Sequence, residues 1–246
     1  MDVVDGVDGL RPEHGPVFAV IGVFDGLHRG HRYLLEHLVR EAGDRAARPT
    51  VITFDHHPDE VLTGSAPPLL LDPTERLERL ERAGVSVTVI QPFDETVRHT
   101  PYDAFVDSIR RRTALAGLLM TPDAAFGYER RGTPDAVAAL GRERGFDLVV
   151  LPTFTLDGKP VSSSVIRAAI ALGDLADAER LLGRPVEFRG TANHRSVTFD
   201  WPMALPPDGT YRCRVDGCDV EATVEGATVR LPDGTSEGTV RLEFLA

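Results

Sequence analysis

Short apolar runs alternate with longer segments of helical spacing from Val17 to about Leu182, and this alternation restricts the fold more than any other feature of the sequence. The pattern predicts βα units and a parallel sheet. Because the runs are apolar along their length, both faces of the sheet should be covered. The five predicted strands are "VFAVIGVF" (17–24), "TVITF" (50–54), "VSVTVIQPF" (85–93), "LAGLLM" (115–120) and "DLVVLPTF" (147–154).

Residues 186–246 follow a different pattern. They contain hairpin signals such as Asp216-Gly217 and alternating runs such as "YRCRV", which predict a small antiparallel β module. The predicted fold class is α/β, a Rossmann-like doubly wound five-stranded parallel sheet with a C-terminal antiparallel β module. The predicted domains are an N-terminal extension (1–16), an α/β domain (17–185) and a small β domain (186–246).

The composition argues against several classes of protein. The chain has 27 Lys and Arg against 38 Asp and Glu, a formal net charge of −11, which disfavours binding to nucleic acid or to an anionic membrane. No segment approaches the roughly 20 apolar residues that cross a bilayer, so we expect a cytoplasmic protein. Cys213 and Cys218 cannot complete a tetrahedral zinc site by themselves, and we expect them to be reduced and buried, with a cross-strand pair as the alternative.

The segment after the first strand carries residues suited to phosphate chemistry. A helix beginning near Gly30 would present free N–H groups and its positive dipole end where open parallel sheets bind ligands. The glycine lets a ligand approach the backbone closely. We therefore expect His28 and His31 to donate hydrogen bonds to a phosphoryl group under attack. Asp25 is expected to orient a histidine or to bind a metal-bound water, although an Asp-Gly turn alone would also explain it.

A second phosphate-binding pattern lies about 130 residues further along the chain. Ser162, Ser163 and Ser164 stand at a predicted helix start, where hydroxyls cap the helix and bind phosphate oxygens. Arg167 follows one turn later and is predicted to reach the same anion. Taken alone, this segment fits an ordinary capped helix equally well.

The motif "GVFDGLHRGHRYLL" (22–35) resembles the signature of the bacterial FAD synthetases. These form the adenylyltransferase half of bifunctional riboflavin kinase/FAD synthetase, in the HxGH nucleotidyltransferase superfamily. Three further segments are similar to blocks of that family: "TFDHHPDEVL" (53–62), with His56 where proline is usual, "TPDAAFGYERRG" (121–132) and "VSSSVIRAAIALGDLADAERLLGRP" (161–185).

The resemblance implies roles for individual residues. The implied catalytic residues are His28, His31 and Arg167. The implied ATP-binding residues are Gly22, Phe24, Asp25, Gly30, Asp123, Ser162, Ser163 and Ser164. The implied flavin-binding residues are Phe54, His57, Pro58 and Phe126, although Phe54 fits ordinary core packing nearly as well.

The implied reaction is adenylyl transfer from ATP to FMN. The FMN phosphate attacks the α-phosphorus of ATP in line and pyrophosphate leaves. Because that phosphate is already largely ionised at neutral pH, no general base is required. Mg²⁺ is expected to ride on the ATP phosphates, and no protein metal site is predicted, since the sequence has no dense carboxylate cluster.

Two departures from the family pattern open alternatives. The kinase barrel that follows "LLGRP" in bifunctional relatives is about twice as long as residues 186–246, and no segment with its catalytic glutamate is recognisable, so we expect a barrel remnant without kinase activity. Ala124 and Ala125 replace the usual aromatic and its neighbour, which reduces a contact surface for the acceptor. The alternatives are a transferase of the same fold that uses another phosphorylated acceptor or CTP, and a catalytically silent flavin- or nucleotide-binding protein.

Overall fold

A computed structural model of the protein describes residues 1–234 and 237–246, and it separates into two compact units. The first unit comprises Met1–Phe24, His31–Pro67 and Leu77–Thr153. The second comprises Asp25–Gly30, Pro68–Arg76 and Phe154–Ala246.

The first unit is built on a six-stranded sheet in which every strand pair is parallel. The strands are β1 (Asp2–Asp5), β2 (Val17–Ile21), β3 (Arg48–Phe54), β4 (Val87–Gln91), β5 (Leu115–Met120) and β6 (Asp147–Val150). Their order is β1-β4-β3-β2-β5-β6. The chain moves outward from β2 to β3 and β4, then returns to the other side of β2 with β5. The strand order therefore reverses beside β2, where doubly wound sheets bind ligands.

The predicted α/β fold is confirmed, but the sheet has six strands because residues 2–5 form an edge strand. These residues were expected to lie in an extension. Asp2 pairs with Val87 and Asp5 with Ile90, so β1 continues the sheet beyond β4. Val4 is buried and Val3 is half exposed, as expected for a short edge strand with one covered face. Two apolar residues between two acids give too short a pattern to mark a strand without its partner.

In the part of the chain that the structure describes, eight helices connect the strands or follow them. They are α1 (Arg29–Asp44), α2 (Pro58–Thr63), α3 (Pro73–Arg82), α4 (Glu95–Arg98), α5 (Tyr102–Arg112), α6 (Pro134–Arg144), α7 (Ser163–Ala171) and α8 (Leu175–Leu182). Short 3-10 helices cover Val7–Gly9, Pro12–His14 and Tyr128–Arg130. No helix in the described part of the chain is long and apolar enough to span a membrane.

Helices cover both faces of the six-stranded sheet. Val17 and Ala19 of β2 share a buried cluster with Ile109 of α5. Side chains alternate along a strand, so Phe18 lies on the opposite face. There the guanidinium of Arg45, just beyond α1, lies 4.9 Å from the centre of the Phe18 ring.

The second unit contains a closed antiparallel barrel. Its strands are β9 (Val186–Asn193), β10 (Ser196–Thr198), β11 (Gly209–Val215), β12 (Cys218–Glu225), β13 (Thr228–Arg230) and β14 (Gly238–Phe244), in the order β10-β13-β12-β11-β14-β9. A small hairpin precedes them, formed by β7 (Thr155–Leu156) and β8 (Lys159–Pro160). The barrel core includes Phe188 and Phe244, and it is continuous with Ile166 and Ile170 of α7.

The two cysteines lie in the barrel as free thiols. Cys213 is buried as expected, whereas Cys218 is exposed, because it begins a strand directly after the Asp216-Gly217 turn. Cys213 is paired in register with Val220, and Cys218 with Val215, so the two are not opposite each other. Burial raises the pKa of the Cys213 thiol to about 12. This thiol is therefore protonated at neutral pH and serves as core.

Candidate functional site

A strained loop joins the carboxyl end of β2 to α1. Phe24, Gly26 and Leu27 all have positive φ, at 54°, 80° and 38°. Non-glycine residues rarely adopt this conformation, and it persists where the surrounding structure enforces it, often at functional sites. Phe24 is buried despite the strain, and its ring centre lies 5.1 Å from that of His31 in the first turn of α1.

Asp25 is the centre of a buried polar cluster in the second unit. Its side chain is 3% exposed, and its two oxygens accept the backbone N–H of Leu70 at 3.0 and 3.1 Å. One of them also accepts Nη2 of Arg167 at 2.6 Å. Both carboxylate oxygens are thus bonded to the protein, and Asp25 positions Arg167. Its predicted contact with ATP or with a metal-bound water stays a prediction.

Arg167 is held on two sides. Besides its ion pair with Asp25, its Nε donates to the carbonyl oxygen of Pro68 at 2.8 Å. The side chain is 13% exposed, so the guanidinium is largely removed from water. An arginine fixed by a carboxylate and a carbonyl loses little conformational entropy when an anion binds to its remaining donors.

The three serines at the start of α7 have different environments. Ser162 is the N-cap, and its oxygen accepts the N–H of Val165 at 3.4 Å. Ser163 donates its hydroxyl to the backbone oxygen of Asp25 at 2.9 Å. Ser164 is exposed. Two of the three hydroxyls therefore stabilise the protein itself, and Ser164 is the one that faces solvent.

His28 is buried next to two arginines. Its side chain is 4% exposed, and burial, followed by the charges of Arg184 and Arg167, lowers the pKa of His28 to about 4. The imidazole is therefore neutral at pH 7 and donates from one ring nitrogen.

Gly30 occupies a position where a side chain does not fit easily. A Cβ at this position would lie 3.1 Å from the His28 ring and 3.3 Å from the carbonyl oxygen of Val161. A larger residue would therefore displace the ring or the backbone. The first turn of α1 contains no acidic residue, so the positive end of its dipole is not neutralised by its own sequence.

A largely apolar cavity of about 610 Å³ lies in the first unit, and we call it the large cavity. Gly22, Phe54, Pro58 and Phe126, all predicted site residues, are among those that line it. Phe93 lines it too and packs edge-to-face on Phe54, with ring centres 5.3 Å apart. Its size and aromatic walls suit a planar heteroaromatic ligand.

His57 does not line the large cavity. It is the N-cap of α2, where its Nδ1 accepts the N–H of Asp59 at 3.2 Å. In the sequence, a histidine directly before a proline and two acids resembles a family motif. In the structure, its Nδ1 bonds to a residue only two positions away, at the start of the same helix.

A small cavity of about 290 Å³ lies at the carboxyl ends of β2 and β5 in the same unit. Asp123 lines it, is exposed and accepts the hydroxyl of Thr153 at 3.4 Å. Ala124 and Ala125 also line it, so the two alanines do form walls of a candidate site. Four residues line both cavities: Ile21, Ala125, Phe126 and Arg130.

Three residues that lie in the polar cluster or line the cavities were not predicted from the sequence. Phe93 could have been predicted, because it lies at the end of a predicted strand and parallel strands have their carboxyl ends at the same edge of the sheet, where ligands bind. Arg184 and Arg130 had no such signal, since arginines in "LLGRP" and "YERRG" look like ordinary surface residues. Among residues 1–234 and 237–246, no group of three or more His, Cys, Asp or Glu could hold a metal ion.

Comparison with known proteins identifies the family. Residues 10–165, more than half of the chain, match the family model described as FAD synthetase. The chain belongs to the FAD synthetase family. The matched residues include the strained loop and the linings of both cavities, whereas Arg167, Arg184 and the barrel lie beyond the match.

Relatives of this FAD synthetase family member include bifunctional enzymes. A bifunctional riboflavin kinase/FMN adenylyltransferase from Pseudomonas fluorescens is 34% identical over 195 residues, which cover 79% of this chain and 63% of that protein. The protein of the same name from Escherichia coli K12 is 34% identical over 214 residues, covering 84% of this chain and 68% of that one. The chain thus spans roughly two thirds of the length of these relatives.

A solved structure shares the fold over the whole chain. A crystal structure described as a macrolide-efflux protein from Streptococcus pneumoniae superposes with a TM-score of 0.83, at 22% identity, and covers 100% of this chain and 90% of the other. At this identity the likeness concerns the fold alone.

Proposed function

We propose that the protein transfers the adenylyl group of ATP to FMN, giving FAD and pyrophosphate. The observation that carries the proposal is His28: a buried, neutral imidazole directly before α1, under the influence of Arg184 and Arg167. A buried hydrogen-bond donor near two arginines is suited to binding a polyphosphate. Membership of the FAD synthetase family supports adenylyl transfer as the reaction. The names of the curated relatives support the same acceptor.

FMN is proposed to bind in the large cavity through its isoalloxazine ring. Phe54 and Phe126 supply aromatic faces, and Pro58 supplies an apolar edge. A flat tricyclic ring gains most of its affinity from apolar area removed from water, which such walls provide.

The ATP phosphates are proposed to bind where the strained loop enters α1. Within the second unit, the N–H groups at the start of α1, the donor of His28 and the guanidinium of Arg167 are proposed to donate hydrogen bonds to phosphate oxygens. His31, in the first unit, is proposed to keep the catalytic role that the family resemblance implies. Ser164 adds an exposed hydroxyl. Asp25 contributes as a positioning residue, because its bond to Arg167 fixes the direction of the guanidinium.

In the proposed reaction, a phosphate oxygen of FMN forms a bond to the α-phosphorus of ATP while the bond from that phosphorus to the bridging oxygen of pyrophosphate breaks. The FMN phosphate, with a second pKa near 6, needs no general base at neutral pH. The protein therefore contributes alignment and stabilisation of charge at the phosphate oxygens. Mg²⁺ enters as part of the MgATP substrate. Asp25 accepts hydrogen bonds from Leu70 and Arg167, and its proposed role is to position Arg167.

The decisive experiment is an assay of purified protein with ATP, Mg²⁺ and FMN, in which FAD and pyrophosphate are both quantified. The expected result is equal amounts of the two products. Tight binding of FMN and ATP without FAD formation would instead favour a catalytically silent binding protein and overturn the proposal.

A related transferase is the second candidate, and Ala124 and Ala125 favour it. Both line the small cavity, where small side chains leave room for a bulkier group. The assay is therefore repeated with CTP in place of ATP and with other phosphorylated acceptors in place of FMN. Faster turnover with any of these would replace FMN adenylyl transfer by the related reaction.

The absence of riboflavin kinase activity is also part of the proposal. It is supported by the shortness of residues 186–246 compared with the kinase barrel of the bifunctional family, and by the lack of a recognisable segment with the kinase glutamate. Incubation with riboflavin, ATP and Mg²⁺ should yield no FMN. Formation of FMN above the level of a heat-treated sample would contradict this part.

A further inference from the structure

Arg130 lies at the border that the two cavities of the first unit share. It lines the large cavity and the small cavity, together with Ile21, Ala125 and Phe126. A ligand that occupies both cavities has to pass these four side chains. Arg130 is the charged one among them.

The backbone around Arg130 is strained and firmly held. Glu129 and Arg130 both have φ of 55°, in the left-handed region that favours glycine. A bridge between Phe126 and Gly132 closes this short loop, and a Cβ on Gly132 would lie 2.6 Å from Tyr102. Each of these two strained residues costs about 1–3 kcal/mol. The surrounding structure therefore enforces this conformation, and the conformation sets the direction of the Glu129 and Arg130 side chains.

The charged groups of the large cavity differ in their partners. Arg98 pairs with Glu95 at 2.8 Å, and the Nδ1 of His99 lies 3.3 Å from the same carboxylate. Glu129 pairs with Arg131. Arg130 donates to the backbone oxygen of Asp123 at 3.4 Å, and within residues 1–234 and 237–246 no carboxylate forms an ion pair with it. Its planar fork of donors is therefore available to an anion.

We propose that Arg130 binds the phosphate of FMN and holds it at the border of the two cavities, as the nucleophile for adenylyl transfer. This inference rests on the proposed function and adds the residue that positions the acceptor. The isoalloxazine ring occupies the apolar large cavity, so the phosphate at the end of the ribityl chain is the part of FMN that a cation at the border would hold.

The test compares FMN with riboflavin, which differ by the phosphate. Dissociation constants are measured by quenching of flavin fluorescence without ATP, for the wild type, Arg130→Gln and Arg130→Lys. We expect the wild type to prefer FMN, and Arg130→Gln to weaken FMN binding by about 10- to 100-fold, the range for a lost charged hydrogen bond. Riboflavin binding should change less than about twofold, which also reports that the variant is folded. Arg130→Lys should keep part of the preference.

Arg142→Gln is the matched control, because it removes the same charge from the exposed face of α6 and lines neither cavity. It should leave the preference for FMN intact. If Arg130→Gln retains the wild-type preference while the wild type produces FAD, the inference is wrong and the proposed function stands. If the wild type binds neither flavin, both are overturned.

Discussion

The polar cluster around Asp25 and the large cavity are built from opposite kinds of side chains and interactions. In the cluster, which belongs to the second unit, buried charged and polar groups are bonded to one another, as in the Asp25–Arg167 pair. In the large cavity, which belongs to the first unit, aromatic side chains such as Phe54 and Phe93 supply area with few polar groups. The proposed function assigns stability and the chemical step to the cluster, and affinity for the acceptor to the cavity. The following predictions test that division, beginning with the largest expected effect.

Asp25→Asn should be the most destabilising change. It leaves Arg167 with a buried charge and no carboxylate, and breaking a buried ion pair costs roughly 3–5 kcal/mol. The free energy of unfolding from urea denaturation measures this loss. Asp157→Asn is the control, because that carboxylate pairs with Arg180 at an exposed position, where a pair contributes about 1 kcal/mol or less. Equal losses in the two variants would refute the assignment.

The titration of His28 should appear in the stability of the protein. The folded pKa of about 4 lies below the ordinary value of 6.5, so the unfolded chain takes up the proton first as the pH falls. Stability from this group is therefore constant above about pH 6.5 and declines towards pH 4, by about 3 kcal/mol in total.

The measurement is urea denaturation between pH 4 and pH 8, compared with His28→Asn. The wild-type curve should decline more steeply over the acidic part of this range. His194→Gln, at a side chain that is 90% exposed, should follow the wild type. Parallel curves for the wild type and His28→Asn would show that His28 titrates normally.

His28→Ala and His31→Ala should each lower the turnover of FAD formation by roughly a hundredfold or more, the cost of removing a transition-state donor. Riboflavin binding should stay within about twofold of the wild type, because the large cavity keeps its lining. The control is His37→Ala, further along α1, whose Nδ1 is bonded to the Tyr33 carbonyl. Unchanged turnover in both histidine variants would remove the catalytic role assigned to them.

Phe54→Ala should have the smallest effect and the opposite signature. Loss of one aromatic contact should weaken binding of FMN and riboflavin equally, by roughly 3- to 10-fold. Fluorescence titration measures both ligands, and Leu172→Ala, at an exposed position in α7's C-cap, serves as control. A loss confined to FMN would mean that Phe54 acts near the phosphate, which would contradict placement of the ring against it.

Local patterns were enough to predict much of the fold, and they also indicated where to look for the candidate site. Apolar runs predict buried parallel strands because their side chains are covered on both faces, and a glycine between two histidines at a strand end predicts a phosphate-binding helix start. Edge strand β1 was missed because four residues become a strand only through pairing with β4. The bond from Arg167 to Asp25 joins residues 142 positions apart, and a tertiary contact of this kind leaves no periodic trace in the sequence.

The residues that line the cavities also depend on tertiary contacts that the local sequence does not reveal. Phe54 and Phe126 were expected from the family resemblance and do line the large cavity, whereas His57 belongs to a helix cap. Which arginine of "YERRG" borders a cavity depends on two left-handed backbone conformations. Such conformations arise from tertiary constraints, so the local amino-acid sequence does not show whether Arg130 or Arg131 lines a cavity.

Closure of the barrel has a consequence for self-association. Since β14 bonds to β9 on one side and to β11 on the other, no barrel strand in the described part of the chain is left at an end of the hydrogen-bonded order. Another chain therefore meets no terminal strand there. The pairing is partial, however, since β12 pairs with β13 only at Thr223, Val224 and Glu225, so added backbone pairing is restricted to short stretches such as 218–222. The parallel sheet, by contrast, ends in β1 and β6, and β1 limits templated growth by being four residues long with an aspartate at each end.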